Sequence, residues 1–267
     1  MKTIFRYPGG KSKKRIRDWI LSHRPLVVDE YREPFVGGGG VFWGLDFECK
    51  RWINDFHPGL IAVYEALRDR PDDFIAACLA VSAGQLKETF DYLKLNEECD
   101  QALRYFFVNR TVWAGRVNYD IPARLYFSNP AGWLSVKPEH LRAAADHLAG
   151  VEIACGDYKW PLMAFGDNVW IYADPPYVRD TELTRTDKQY QYGFTMADHE
   201  EFAHYATLCP HKLAISYDDH PVTRRLYKNW NLIENSWAYA GTACAKKRVG
   251  RELLILNYEP EGQVAAA

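Results

Sequence analysis

The 267 residues are 48% hydrophobic, enough for one large domain or for one domain carrying a second small one, and a net charge of −2 gives no global push toward nucleic acid. Six scattered cysteines with no C-x-x-C pair argue against a structural zinc site and fit buried thiols in a reducing compartment. No apolar run reaches membrane-spanning length and no apolar segment follows the basic start, so a cytoplasmic protein without span or signal peptide is expected.

Charge is unevenly placed. From Met1 to Arg24 there are eight Lys or Arg and one acid, Asp18, and Lys246-Lys247-Arg248 with Arg251 forms a second basic cluster. Such runs are usually solvated surface; they gain a function only if both face one cleft.

The chain opens with Phe5-Arg6-Tyr7-Pro8-Gly9-Gly10-Lys11. Gly9 and Gly10 would let a ligand approach bare backbone N–H groups, with Lys11 adding a charge for a carboxylate or phosphate, although a plain Pro-Gly turn has the same sequence. Ser12 can cap a helix through Ile16, Trp19 and Ile20.

Leu26 to Phe35 then leads into Glu33-Pro34-Phe35-Val36-Gly37-Gly38-Gly39-Gly40, and Val41-Phe42-Trp43 begins a helical pattern. Strand, glycine loop and helix is a nucleotide-binding order, and a second strand, Arg51 to Asn54, ends at Asp55, eighteen residues beyond Gly37. That carboxylate suits ribose hydroxyls. Phe42 occupies the third small position of the dinucleotide fingerprint, which counts against a dehydrogenase and favours a nucleoside ligand without pyrophosphate.

Leu60 to Arg68 reads as a helix, after which the sheet pattern lapses until about Ala149. Helical stretches at 72–83, 85–95 and 138–148 flank an irregular region rich in Arg, Asn, Tyr and Trp. An insert of this length looks like a small helical subdomain. Its Asn109, Arg110, Arg116, Asn118 and Arg124 are residue types that contact base edges, although a helical lid with a polar surface would look similar.

The sheet resumes at Val151 to Cys155, ending at Gly156-Asp157-Tyr158, and again at Val169 to Ala173. Asp174-Pro175-Pro176-Tyr177 closes that strand. A carboxylate there points into the crevice where open α/β sheets bind ligands, and the prolines fix the turn and remove two donors. One acceptor from Asp174, one from the Pro175 carbonyl and the face of Tyr177 fit a planar ring bearing an NH2 group, though an ordinary strand-to-loop turn also uses Asp and Pro. A polar loop with Arg179, Arg185 and Lys188 follows. Thr195 caps a helix to Leu208, and strands are expected at His211 to Ser216, Leu232 to Tyr239 and Glu252 to Tyr258. The histidines form no metal-binding pair, and no nucleophile elbow or Walker loop occurs.

Taken in order, Tyr7-Pro8-Gly9-Gly10-Lys11, Glu33 to Gly39, Asn54-Asp55, Gly156-Asp157-Tyr158 and Asp174-Pro175-Pro176-Tyr177 resemble the Dam-like family of DNA adenine-N6 methyltransferases. Gly193-Phe194-Thr195, Ser216-Tyr217-Asp218-Asp219 and Lys246-Lys247-Arg248 before Leu253 to Leu256 extend the resemblance over nearly the whole chain. It implies an α/β fold: a Rossmann-like mixed sheet of seven strands (the AdoMet-dependent methyltransferase fold) with an inserted, mostly helical target-recognition domain. The catalytic domain would span 1–69 and 150–267, and the recognition domain 70–149.

The resemblance further implies S-adenosyl-L-methionine as cofactor, no metal, double-stranded DNA as partner, and a monomer. Tyr7, Gly9, Gly10, Lys11, Glu33, Pro34, Phe35, Gly37, Gly39, Asp55, Asp157, Tyr158 and Asp174 would form the cofactor pocket. Asp174, Pro175, Pro176 and Tyr177 would hold a flipped adenine, and Lys13, Asn109, Arg110, Arg116, Asn118, Arg124, Lys246, Lys247 and Arg248 would meet DNA. Tyr7 stands where the family commonly has Trp, and Gly40 where it often has Ser or Thr. The stretch from Arg116 to Arg124 is shorter than the hairpin of Dam-like enzymes that read GATC, leaving a different, shorter or relaxed site open. Transfer to RNA adenine or a protein amide, and a non-catalytic nucleotide-binding module, are the alternative readings.

Overall fold

A computed structural model describes residues 1–7, 11, 14–178, 192–238 and 249–260, with backbone alone for 236–238 and 249–251. Gly9, Gly10, Ser12, Lys13, Arg179, Arg185, Lys188, Lys246, Lys247 and Arg248 lie outside the described residues.

Seven strands form one sheet: β1 (Glu30–Glu33), β2 (Lys50–Asp55), β3 (Glu152–Cys155), β4 (Val169–Ala173), β5 (Lys212–Asp218), β6 (Asn231–Ala238) and β7 (Val249–Leu256), in the order β3-β2-β1-β4-β5-β7-β6. The first five are mutually parallel, whereas β7 runs antiparallel to both β5 and β6. The sheet is therefore mixed, as expected. Strand order reverses between β1 and β4, and the crevice outside the carboxyl ends at such a reversal is where open sheets take ligands.

The helices among the described residues are α1 (Lys14–Leu21), α2 (Pro58–Asp69), α3 (Pro71–Ala80), α4 (Leu86–Leu95), α5 (Gln101–Thr111), α6 (Pro130–Leu134), α7 (Pro138–Leu148), α8 (Lys159–Met163), α9 (Met196–Leu208) and α10 (Pro221–Leu226). Their starts follow local chemistry. Pro58 and His57 open α2, Asp100 accepts from the Leu103 N–H to start α5, and Thr195 with Asp198 makes a reciprocal capping box on α9.

Two expectations need correction. The helix read from Val41 is a single 3-10 turn, Phe42–Gly44. There the chain turns to stack Trp43 on Tyr64, with centroids 5.8 Å apart, and a Cβ on Gly44 would overlap the Arg17 side chain. The first strand begins at Glu30, leaving Leu26 and Val27 exposed ahead of it.

Side chains on β4 alternate between two cores, as strand geometry requires. Trp170 and Tyr172 pack with Tyr31, Ile53 and residues of α2, α5 and α7, whereas Ile171 and Ala173 pack with Leu213, Ile215 and Phe202. Phe74, Phe90, Phe106 and Trp133, from the segment read as an insert, share the first core with the sheet. Each such side chain contributes roughly 1.5–3 kcal/mol relative to exposure, so this segment is welded to the sheet rather than merely tethered.

Candidate active site

A cleft of about 1170 Å³ opens over the carboxyl ends of β1 and β4. It brings together Tyr7, Lys11, Glu33, Pro34, Phe35, Gly37, Asp55, Arg116, Asp157, Tyr158, Asp174, Pro175, Pro176 and Tyr177. The sequence placed these on six separate segments; the sheet order makes them neighbours.

The glycine loop is fixed from four sides. Gly37 donates its backbone N–H to Asp55 Oδ2 at 2.9 Å, the Tyr64 hydroxyl donates to the Gly37 carbonyl at 2.9 Å, and Trp43 Nε1 donates to the Gly38 carbonyl at 3.1 Å. Tyr7 lies over the loop so closely that a Cβ on Gly38 would stand 2.7 Å from the tyrosine Cβ. Gly37 and Gly39 have φ of +47° and +67°, a region L side chains rarely adopt. Gly39 is not on the cleft wall; a Cβ there would meet Trp43 and the Tyr64 hydroxyl, so its smallness serves packing beneath the loop.

Two acids behind the loop are electrostatically unusual. Burial raises the Asp55 carboxyl above the ordinary range against the N–H groups of His57 and Gly37, which bond its oxygens at 3.0 and 2.9 Å. Burial pushes Glu33 well above that range, despite the Tyr31 hydroxyl donating to it at 2.5 Å; the nearby Asp174 and Asp55 add to the shift. Phe35 stacks on Tyr158 at 5.3 Å and meets Phe194 edge-on at 5.8 Å, giving an aromatic wall beside Asp157.

At the end of β4, Asp174 Oδ1 lies 3.0 Å from Lys11 Nζ. The same ammonium pairs with Glu252 and donates to the Tyr177 hydroxyl, which in turn donates to Glu252 Oε1. Burial works against the Lys11 charge, but Asp174 and Glu252 outweigh it and hold its pKa above the ordinary value. Below the Tyr177 ring sits Tyr217, 5.9 Å away, tied through its hydroxyl to His199 Nδ1 at 2.9 Å.

Of the expected DNA-facing residues, Arg116 alone among those described lines the cleft, with its guanidinium 4.6 Å above the exposed Trp113 ring. Asn109 is fully buried: it accepts the Arg6 N–H and donates to the Arg6 and Gly115 carbonyls. Arg110 donates to the carbonyls of Ile4 and Gly132 and to Ser135. These two brace the chain start against the helical segment. Asn118 accepts the Asp120 N–H, and Arg124 is exposed in a short turn away from the cleft wall.

Among the cleft residues not assigned from the sequence, Glu252 and His57 carry polar groups that bear on the site. Glu252 lies inside β7, just before its apolar run Leu253 to Leu256, where a buried acid is costly unless paired, and that was the available signal. His57 accepts the Leu60 N–H through Nδ1, and its buried Nε2 faces no hydrogen-bond partner among the described residues. Burial lowers its pKa to about 4, so the ring is neutral with Nε2 protonated. Among the described residues no group of His, Cys, Asp or Glu is arranged to hold a metal, and no helix is long and apolar enough to cross a membrane.

The family described as D12 class N6 adenine-specific DNA methyltransferase matches residues 7–240. Similar proteins include the type II methyltransferase M1.LlaDCHI of Lactococcus lactis subsp. cremoris, 23% identical over 97% of this chain and 96% of the relative. The DNA adenine methylase of Serratia marcescens is 26% identical over 85% of this chain and 87% of its own, and that of Escherichia coli K12 is 25% identical over 94% and 97%.

Proposed function

The chain belongs to the D12 class of N6 adenine-specific DNA methyltransferases, and from that premise we propose that its cleft holds S-adenosyl-L-methionine beside an adenine extruded from double-stranded DNA. The observation that carries this reading is that Asp174, at the end of β4, shares one cleft with the loop held by the Gly37–Asp55 hydrogen bond. At about 1170 Å³ the cleft exceeds the roughly 300–1,000 Å³ of a pocket for one drug-sized ligand, leaving room for donor and acceptor together.

The residues present fit the cofactor. A loop without Cβ atoms, a carboxylate at the end of β2, the aromatic wall of Phe35 and Tyr158, and the Nε2–H of His57, unpartnered among the described residues, offer apolar faces, acceptors and a donor. Asp55 would take ribose hydroxyls, Phe35, Asp157 and Tyr158 would border the cofactor's adenine, and Tyr7, Glu33, Pro34 and Gly37 would close the pocket. Bound there, the cofactor supplies an electrophilic methyl group on a sulfonium.

The adenine amine is a poor nucleophile because its lone pair is delocalised into the ring. Asp174 and the Pro175 carbonyl would accept its two hydrogens and favour a more tetrahedral nitrogen, and Tyr177 would replace the stacking lost on extrusion. Pro176 keeps the turn rigid. Residues 70–149 would serve as the recognition segment, with Arg116 reaching phosphate or base edges at the cleft mouth.

The test is to offer unmethylated duplex DNA, RNA and protein in parallel to the enzyme with methyl-labelled S-adenosyl-L-methionine. Label recovered as N6-methyladenine from DNA is expected. Label in RNA or protein alone refutes the assignment.

A further inference from the structure

Glu252 reaches the cleft from β7, where it pairs with Asp218 of β5, and it is only 4% exposed. Its carboxylate holds the Lys11 ammonium and the Tyr177 hydroxyl together. Lys11 Nζ also lies 3.0 Å from Asp174 Oδ1 and 4.5 Å from the centre of the Tyr177 ring. One buried cation therefore spans the acceptor of the target amine, the ring that would stack on the base, and a second carboxylate with no part in the chemistry assigned so far.

An incoming adenine amine and the Lys11 ammonium compete for the Asp174 carboxylate, whose Oδ1 the ammonium already holds. A buried cation gives up one carboxylate only if another compensates it, because an unpaired buried charge is strongly destabilising. Glu252 is the compensating group within reach. It also fixes the phenol of Tyr177, whose hydroxyl is tethered among the described residues only by Glu252 and Lys11.

Resting on the reading above, we propose that Glu252 is a positioning residue for methyl transfer: it draws Lys11 away from Asp174 and sets the Tyr177 ring, so that adenine meets a vacant carboxylate and a prepared stacking face. Among the described residues, the charged and titratable groups facing it are Lys11, Asp174, Asp218 and Tyr172, with Tyr177 in hydrogen-bond contact. Burial raises its pKa to about 7, Lys11 opposing and Asp174 and Asp218 reinforcing the shift. Once protonated, Glu252 no longer attracts Lys11, which then stays on Asp174 and masks it. The ionised form is the working one, so transfer slows as pH falls.

The experiment is single-turnover methylation of unmethylated duplex DNA from about pH 6 to about pH 8.5 by wild type, Glu252→Gln and Glu252→Asp, with cofactor and DNA affinities measured alongside. Wild type and Glu252→Asp should gain rate with pH, wild type by close to tenfold per unit below about pH 7. Glu252→Gln should be slower by about tenfold or more at high pH and flat across the range, with both affinities within about threefold of wild type. A merely structural role would lower rate and melting temperature together and leave the pH slope intact; that outcome, or a flat wild-type profile, overturns the proposal. Should Glu252→Gln fail to fold, the wild-type and Glu252→Asp profiles decide alone. Wild type that methylates no DNA at any pH refutes the proposed function itself, whereas active wild type with an unchanged slope in Glu252→Gln refutes only the role of Glu252.

Discussion

The Asp55 carboxylate accepts the backbone N–H of Gly37 at 2.9 Å, tying the end of β2 to the loop that follows β1. His57 donates to the other oxygen at 3.0 Å, so one side chain shapes both the glycine loop and the start of α2. Removing it strands two backbone donors at the cleft floor. Asp55→Ala should lose about 1–3 kcal/mol of stability. Cofactor, which stabilises wild type on binding, should then give no measurable rise in melting temperature. Asp55→Asn keeps an acceptor oxygen and should recover part of the stability but little of the cofactor response, which thermal melts with and without S-adenosyl-L-methionine will resolve.

Asp174 stands outside this brace. Lys11, its neighbour, keeps Glu252 as a partner when Asp174 is gone, so truncation leaves no unpaired cation. Asp174→Ala should therefore fold and bind cofactor within a few-fold of wild type while losing about a hundred- to a thousandfold or more in transfer rate, the scale on which removal of an electrostatic stabiliser is felt. A rate within a few-fold of wild type would remove Asp174 from the assigned role. Calorimetric cofactor binding and single-turnover assays measure the two halves separately.

Asn109 carries a structural load instead of a recognition one. Fully buried, it bonds Arg6 through both backbone groups and also holds the Gly115 carbonyl. Gly115 itself has φ +69°, and a Cβ there would come within 1.8 Å of the Arg6 carbonyl oxygen. Asn109→Ala should cost at least about 1–3 kcal/mol, the penalty for one buried group left without a partner. Gly115→Ala should cost as much or more, from strain and overlap together. Denaturant melts should show both losses, and any fall in DNA affinity should scale with the folded fraction.

How far the sequence disclosed this arrangement depends on the kind of signal. Val169 to Ala173, apolar throughout because both faces of β4 are covered, and the capping pair Thr195 and Asp198 are local patterns that match the structure directly. Glycine-loop, Asp55 and Asp174 motifs were legible as separate turns, and parallel strand ends explain why they converge. The residues misjudged were those decided by tertiary packing. Nothing local distinguishes Asn109 or Arg110, turned inward against the chain start, from Arg116, turned to the cleft. Glu252 was hidden inside a strand, since its partner Lys11 is far away in sequence and only the pairing of β7 with β5 brings the two together.

Acid should weaken the fold before it protonates most carboxylates. His199 is 2% exposed, and burial lowers its pKa to about 4, with Asp198 opposing and His220 reinforcing; His57 is lowered to about the same value by burial. Between pH 6.5 and about 4 the unfolded chain binds protons that the folded chain refuses, so stability falls as pH drops through that window and is fully present above it. His199→Gln should blunt this loss, because an amide does not titrate. The melting temperature followed from about pH 7.5 to about pH 4.5 for both proteins supplies the comparison, and parallel curves would exclude His199 as a source.

Arg116, of the residues expected to meet DNA, lines the cleft and tests contact with nucleic acid. Its guanidinium lies 4.6 Å above the ring of Trp113, which is 66% exposed, so the pair presents a flat cationic face to whatever enters. A net charge of −2 makes non-specific attraction by the whole chain weak, and local contacts must carry the salt dependence. If Arg116 neutralises a phosphate, Arg116→Ala should weaken DNA binding for all sequences alike and reduce the slope of log affinity against log salt by about one. If it reads a base edge, the slope should hardly change while discrimination between target and non-target DNA narrows, by about 1–3 kcal/mol. Arg110→Ala is the internal control: its partners are the carbonyls of Ile4 and Gly132 and the Ser135 hydroxyl, so it should lower stability and leave the salt slope of the folded protein unchanged.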